Sequence, residues 1–200
     1  MISLWTRAVA YAALAVLVAQ VALLEARHFE GLDQFGELGY VELGQTVLLG
    51  TAVLLAAVAA WRSDASEPLL ACLALGFAIL FVRENDQVLE LWLPHGIWKW
   101  PAGVLFLVLA TVFLRQRRRV LDQLLDLSRR PAFGVFLGGF SALVFSRLFG
   151  RGDFWQAIMG ERYWRPVKNA AEEGVELFAL ALLTAGVVEL LLVRRGGRRE

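Results

Sequence analysis

Apolar residues along this chain come in solid blocks rather than in alternation. Residues 8–24, 43–61, 68–82, 101–114, 132–146 and 177–193 are almost free of charge. A transmembrane β-barrel would show apolar and polar positions alternating along each strand, which these blocks do not. In lipid every backbone N–H and C=O must find its partner within the same segment, so runs this apolar are predicted to be helices. Crossing ~30 Å of hydrocarbon takes about 20 residues, so the shorter blocks must draw on their polar flanks. The expected spans are therefore 6–26, 42–62, 68–90, 97–115, 131–149 and 170–194. The predicted fold is a single all-α domain, an integral bundle of six transmembrane helices covering residues 1–200. Short interfacial helices are expected in the 116–130 and 150–168 loops, the first from Leu and Val at helical spacing, the second from its aromatic and basic residues.

Composition agrees with the pattern. A hydrophobic fraction of 58% and a mean hydropathy of +0.57 exceed those of soluble domains, where the apolar share is about 45–50%. The first block is too long for a secretory signal and lacks a small-residue cleavage site before Glu25-Ala26-Arg27, so it is read as a retained helix. A lone cysteine, Cys72, rules out an intramolecular disulfide framework.

Charge then orients the bundle. With six spans, the side holding both termini, the 62–67 turn and the 115–130 loop carries 12 of the 20 Lys and Arg. The other side carries 13 of the 19 acids. The Lys/Arg bias predicts that both termini are cytoplasmic in a multi-pass protein of a bacterial-type inner (plasma) membrane. Tryptophans fall at the expected boundaries, with Trp5 and Trp61 inside and Trp92, Trp98, Trp100, Trp155 and Trp164 outside.

Depth can be counted from the expected inner boundaries at ~1.5 Å per residue. Glu25, Glu42, Arg83, Glu84, Lys99, Arg147, Glu172, Glu173 and Glu176 then all fall about 23–33 Å across, near one level at the outer end of the bundle. A charge there costs a few kilocalories per mole unless it snorkels or faces a wet interior, so the groups are expected to turn inward and meet. Carboxylates at this level (Glu25, Glu42, Glu84, Asp86, Glu172, Glu173, Glu176) outnumber the bases Arg27, Arg83, Lys99 and Arg147 by seven to four. A structural ion-pair network would not need the surplus; a bound cation, protonated acids or charged histidines would absorb it.

Three segments carry the candidate chemistry. In KNAAEEGVELF, Asn169 is expected to cap the last helix, with Glu172 and Glu173 in its first turn and Glu176 a turn further in. Glu173, Glu176, Glu84 and Asp86 are the candidate acid–base groups. In EARH, Glu25 and His28 have the Glu-x-x-His spacing that points two ligands inward from one helix in di-iron bundles. Here it occurs once where the full pattern needs it twice, so Glu25, His28, Glu42 and Glu176 are named as metal ligands on weaker grounds. Arg83, Lys99, Arg147, Arg165 and Lys168 are candidates for an anionic head group, several beside interfacial aromatics.

With two histidines in the chain, a histidine-rich zinc site is excluded, and a bis-histidine haem, which would consume both His28 and His95, is not expected. The suited cofactor is a divalent metal ion. There is no Gly-rich phosphate loop, GxSxG, HExxH or Cys–His pair. Membrane lipid is the expected partner, with a homo-oligomer or larger membrane complex also possible on this sequence; nucleic acid is not expected. Three function classes follow: a carboxylate-rich outer site that holds a cation and acts on a lipid head group or small polar substrate, a non-catalytic subunit or scaffold with a structural ion-pair layer, and a proton- or cation-coupled transporter. The last is disfavoured by inner helix halves that are nearly all apolar, Glu189 being their one acid.

Overall fold

The computed structural model describes residues 4–31, 34–36, 39–63 and 67–197, with side chains for residues 5–192 of these. Among them the chain is all-α: α1 Leu4–His28, α2 Tyr40–Arg62, α3 Pro68–Glu84, α4 Asp86–Glu90, α5 Lys99–Ser128, α6 Pro131–Phe149, α7 Gly152–Met159 and α8 Arg165–Gly197, with a 3-10 turn at Gly160–Arg162. Four of these helices are long and apolar enough to cross a membrane: α1, α2, α6 and α8. Large apolar side chains stand exposed along them, such as Val9, Val16 and Leu17 on α1 and Leu43, Val47 and Leu54 on α2. Such surface suits lipid tails and would be a liability in water.

Several boundaries differ from those expected. The third helix stops at Glu84 instead of running to residue 90, and one further turn, α4, follows Asn85. The side-chain amide of Asn85 donates to Phe81 O at 2.9 Å, and its own backbone N–H goes to the same carbonyl. An Asn side chain that competes for helix carbonyls in this way weakens the helix there. At 17 residues α3 is shorter than a full span. The fifth helix runs through the expected end at 115 to Ser128, with non-helical dihedrals at Gln116 (φ −119°, ψ 20°). Arg115 and Arg119 are spaced i, i+4 across that point, and like charges at this spacing repel. The last helix begins at Arg165, not after Asn169. Pro166 explains the early start, since a proline in the first turn loses no hydrogen bond and presets the helical φ.

The chain divides into two compact units, Met1–Gln45 with Phe136–Leu183, and Thr46–Val135 with Thr184–Glu200. The core of the first unit is built on α8, where Leu177, Ala179, Leu180, Ala181 and Leu183 are buried, together with Val41. There α6 approaches α8 so closely at Gly139 that an added Cβ would lie 3.0 Å from both Ala179 O and Leu183 N. Small residues let apolar helices approach to backbone contact, which is the main source of helix–helix attraction in lipid. In the second unit α3 packs along α5. Leu49, Ala52, Leu70, Phe77, Val120 and Val187 are among its buried residues. Leu69 N at the start of α3 donates to Gln123 Oε1 at 3.0 Å, so a side chain beyond the α5 kink satisfies one of the orphan amides of that helix start.

The basic tail that entered the orientation argument, with Arg194, Arg195, Arg198 and Arg199, falls outside the described side chains, as do Asp33, Glu37 and Asp64.

Candidate functional site: an ion-paired carboxylate cluster in the first unit

Between them α6 and α8 bring four of the sequence-predicted site residues together in the first unit. Glu176 is 2% exposed and lies 2.7 Å from Arg147 Nε through Oε1. The same oxygen accepts from Ser146 Oγ at 3.1 Å, and Ser146 is itself fully buried. Glu172 lies one turn earlier, 3.8 Å from Arg147 Nη1 and in contact with Lys168 Nζ, its i−4 neighbour. With α8 starting at Arg165, Lys168 and Glu172 stack on one face and Glu176 continues it. Asn169 sits inside the helix rather than at its cap, and its Nδ2 donates to Phe35 O at 3.2 Å.

Glu173 is held differently. It has no ion pair within the unit; instead Gln45 Nε2, from the first turns of α2, donates to Glu173 Oε2 at 3.0 Å and to Glu173 O at 3.3 Å. Two acceptors on one nitrogen fix which way the Gln45 amide points. Its carbonyl oxygen is then buried with no hydrogen-bond partner, in a residue that is fully buried. Glu173 and Glu176 bring carboxylate oxygens within 4.8 Å of each other, close enough to hold a metal ion between them. The unit thus contains an acidic cluster of three carboxylates, Glu172, Glu173 and Glu176, against two bases, Arg147 and Lys168.

Glu25 and His28 go separate ways. Glu25 is fully buried, and its Oε2 accepts from Val41 N at 2.7 Å. It acts as the N-terminal cap that α2 lacks in its own sequence, because Gly39, just before the helix, has no side chain to offer. Glycine is required there: a Cβ on residue 39 would lie 1.9 Å from Glu25 Oε1. A carboxylate at a helix N-terminus is also favoured by the helix dipole. His28 is exposed and packs edge-on to Tyr40, and Phe29 touches both rings. Glu42 is half-buried in the first turn of α2.

Arg165 is exposed at the first residue of α8. Beside the cluster, Trp155 Nε1 donates to Phe149 O at 2.8 Å, and Phe145, Phe149, Phe154 and Trp155 form a chain of ring contacts at the end of α6. On the approach to α7, Arg151 pairs with Asp153 at 2.6 Å; hydrogen bonds from the guanidinium hold the Asp153 carboxyl below its ordinary range.

The remaining candidates belong to the second unit. Arg83 and Glu84 are 3.9 Å apart at the end of α3, and Asp86 opens α4 on the far side of Asn85. Lys99 is exposed, with its ammonium 6.0 Å from the centre of the Trp98 ring. His95 is exposed and its Nδ1 contacts Glu90 Oε2 at 2.5 Å, while Gly96 N donates to Glu90 Oε1 at 2.6 Å.

Sequence reasoning missed Gln45 and Ser146. Each was visible as a neutral polar residue within an apolar run, in VELGQTVLLG and LVFSRLF, one turn or less from a charged residue. No family model, no curated protein and no solved structure matches this chain.

Proposed function

We propose that this is a multi-pass membrane protein whose first unit holds a hard divalent cation between Glu173 and Glu176, with Gln45 Oε1 as a third oxygen donor. The observation that carries the reading is the buried Gln45 carbonyl oxygen without a partner, on the amide that already grips Glu173. A buried amide oxygen left unpaired costs about 1–3 kcal/mol, and a cation would remove that cost. An all-oxygen donor set favours magnesium, calcium or manganese over zinc or copper. Arg147 and Lys168, beside the aromatic end of α6, would receive the anionic part of a lipid head group or small polar substrate. The cation would then polarise a phosphoryl or carbonyl oxygen, and the carboxylates would orient it.

Elemental analysis and calorimetric titration with magnesium, calcium and manganese test this on the purified full chain. One ion per chain is expected, with affinity falling about ten-fold or more in Glu173→Gln and in Gln45→Leu. Absence of any bound ion in the wild type, with no heat on titration, overturns it.

A second reading, a non-catalytic subunit or scaffold of a larger membrane complex, is favoured by the pairing of Glu176 with Arg147 and Ser146, which satisfies that acid without a ligand. Native mass spectrometry of gently solubilised membranes separates the two: a stable hetero-complex with no metal supports the scaffold. The six-span arrangement with both termini in the cytoplasm of a bacterial-type inner membrane belongs to the same proposal and rests on the Lys/Arg bias. A topology reporter fused after Glu200 checks it, and an external signal would reverse the assignment.

A further inference from the structure

Past its kink at Gln116, α5 continues as a helix with three distinct faces. Winding roughly 100° per residue, Val120, Gln123 and Leu127 share one face. Val120 and Leu127 are buried, and Gln123 bonds to Leu69 N at the start of α3, so this face is the one packed on the protein. Asp122 and Asp126 share a second face, both exposed, with Asp126 paired to Arg130. On the third face Leu121, Leu124 and Leu125 are 49%, 36% and 64% exposed. Arg117 falls in line with that leucine stripe and Arg118 at its edge beside Leu125, while Arg119 winds round toward the aspartates.

Arg115, Arg117, Arg118 and Arg119 are all exposed, and none of their side chains has an ion pair or hydrogen bond among the described residues. At the kink, residues 114–119 line an open recess of the surface. Unpaired arginines at the rim of exposed leucines, with the acids turned to another face, form an arrangement complementary to a bilayer surface of negative charge. Leucine side chains reach the acyl boundary, and guanidinium groups take head-group phosphates in forked hydrogen bonds.

We infer that the helix after Gln116 lies in the membrane interface and that Arg117 and Arg118 bind the phosphates of anionic phospholipids. The inference is independent of the carboxylate cluster and rests only on the chain being a membrane protein. Gln123 supplies the rigidity: by tying the segment to α3 it fixes which face meets the lipid.

The test uses the full chain in liposomes, with Cys72→Ser as background and a fluorophore at Leu125→Cys or, separately, at Asp126→Cys. The label at 125 should be shielded from an aqueous quencher and the label at 126 open to it; equal access at both sites overturns the orientation. Quenching of the 125 label by spin-labelled phosphatidylglycerol should exceed quenching by spin-labelled phosphatidylcholine. Arg117→Gln with Arg118→Gln should reduce that preference by up to about five-fold per arginine, while Arg119→Gln should leave most of it. No lipid preference in the wild type, or a preference unchanged in the double variant, overturns the lipid assignment. Loss of the preference as large in Arg119→Gln as in the double variant overturns the choice of face. Thermal midpoints of the variants matching that of wild type show that folding is not the cause.

Discussion

Two clusters of like charge in this protein have opposite surroundings. Glu172, Glu173 and Glu176 are enclosed in the first unit, each with a named protein partner: Lys168 and Arg147, Gln45, and Arg147 with Ser146. Arg115, Arg117, Arg118 and Arg119 in the second unit stand open, and no described side chain answers them. The difference follows from side-chain length and desolvation. A short carboxylate in an apolar unit cannot reach water, so it is stable only where the fold provides donors. A long guanidinium at the end of an apolar helix stays hydrated, and the fold need provide nothing. The enclosed cluster is therefore tied into the fold, whatever it also binds, while the open one is not.

That contrast can be broken at graded cost. The largest loss is expected for Gly139→Leu, which drives a side chain into the backbone of α8 at Ala179 and Leu183 and separates the helices that carry the acids and Arg147. Destabilisation of about 3 kcal/mol or failure to fold is expected, and thermal unfolding in detergent, with Gly138→Leu as a control where no such clash exists, measures it. Next, Glu176→Ala should cost about 2 kcal/mol: breaking a buried pair costs about 3–5 kcal/mol, discounted because Arg147 is 39% exposed and keeps Glu172. A shift under half a kilocalorie per mole would show that the pair is idle.

Glu25→Ala should cost about 1–2 kcal/mol as a lost helix cap. Gly39→Ala displaces the same carboxylate, so a double-mutant cycle should show the two losses to be strongly non-additive; simple additivity would separate the glycine from the cap. Gln123→Ala, which frees Leu69 N, should cost about 1 kcal/mol. The smallest effect sharpens the contrast: Arg118→Gln should leave the unfolding free energy within about 0.5 kcal/mol of wild type, because the open cluster contributes nothing to the folded state that a neutral side chain would remove.

How much of this was legible beforehand varies with the range of the interactions. The apolar blocks located α1, α2 and α6 to within two residues or so, because lipid imposes helices on any run that apolar. The start of α8 was misplaced because Asn169 followed by two glutamates imitates a capped first turn, while Pro166 gave the better signal. The break at Asn85 left no mark in hydropathy, since its cause is one side-chain hydrogen bond. Glu172 and Glu176 could be placed on one face from their spacing alone. Gln45 could not be joined to Glu173, which lies 128 residues away in sequence, nor Ser146 to Glu176.

Sequence by itself determined that the chain is helical and built for lipid, and that its charged residues gather at the ends of its apolar blocks. Hydrophobicity and helix rise are local, additive properties that a single chain displays in full. Tertiary structure alone decided the roles of the charges: Glu25 as a cap for another helix, Glu176 as the partner of Arg147, and Arg117 and Arg118 as groups without one among the described residues. A charge is satisfied or left open by whatever folding brings within about 4 Å of it, and that depends on contacts between distant segments.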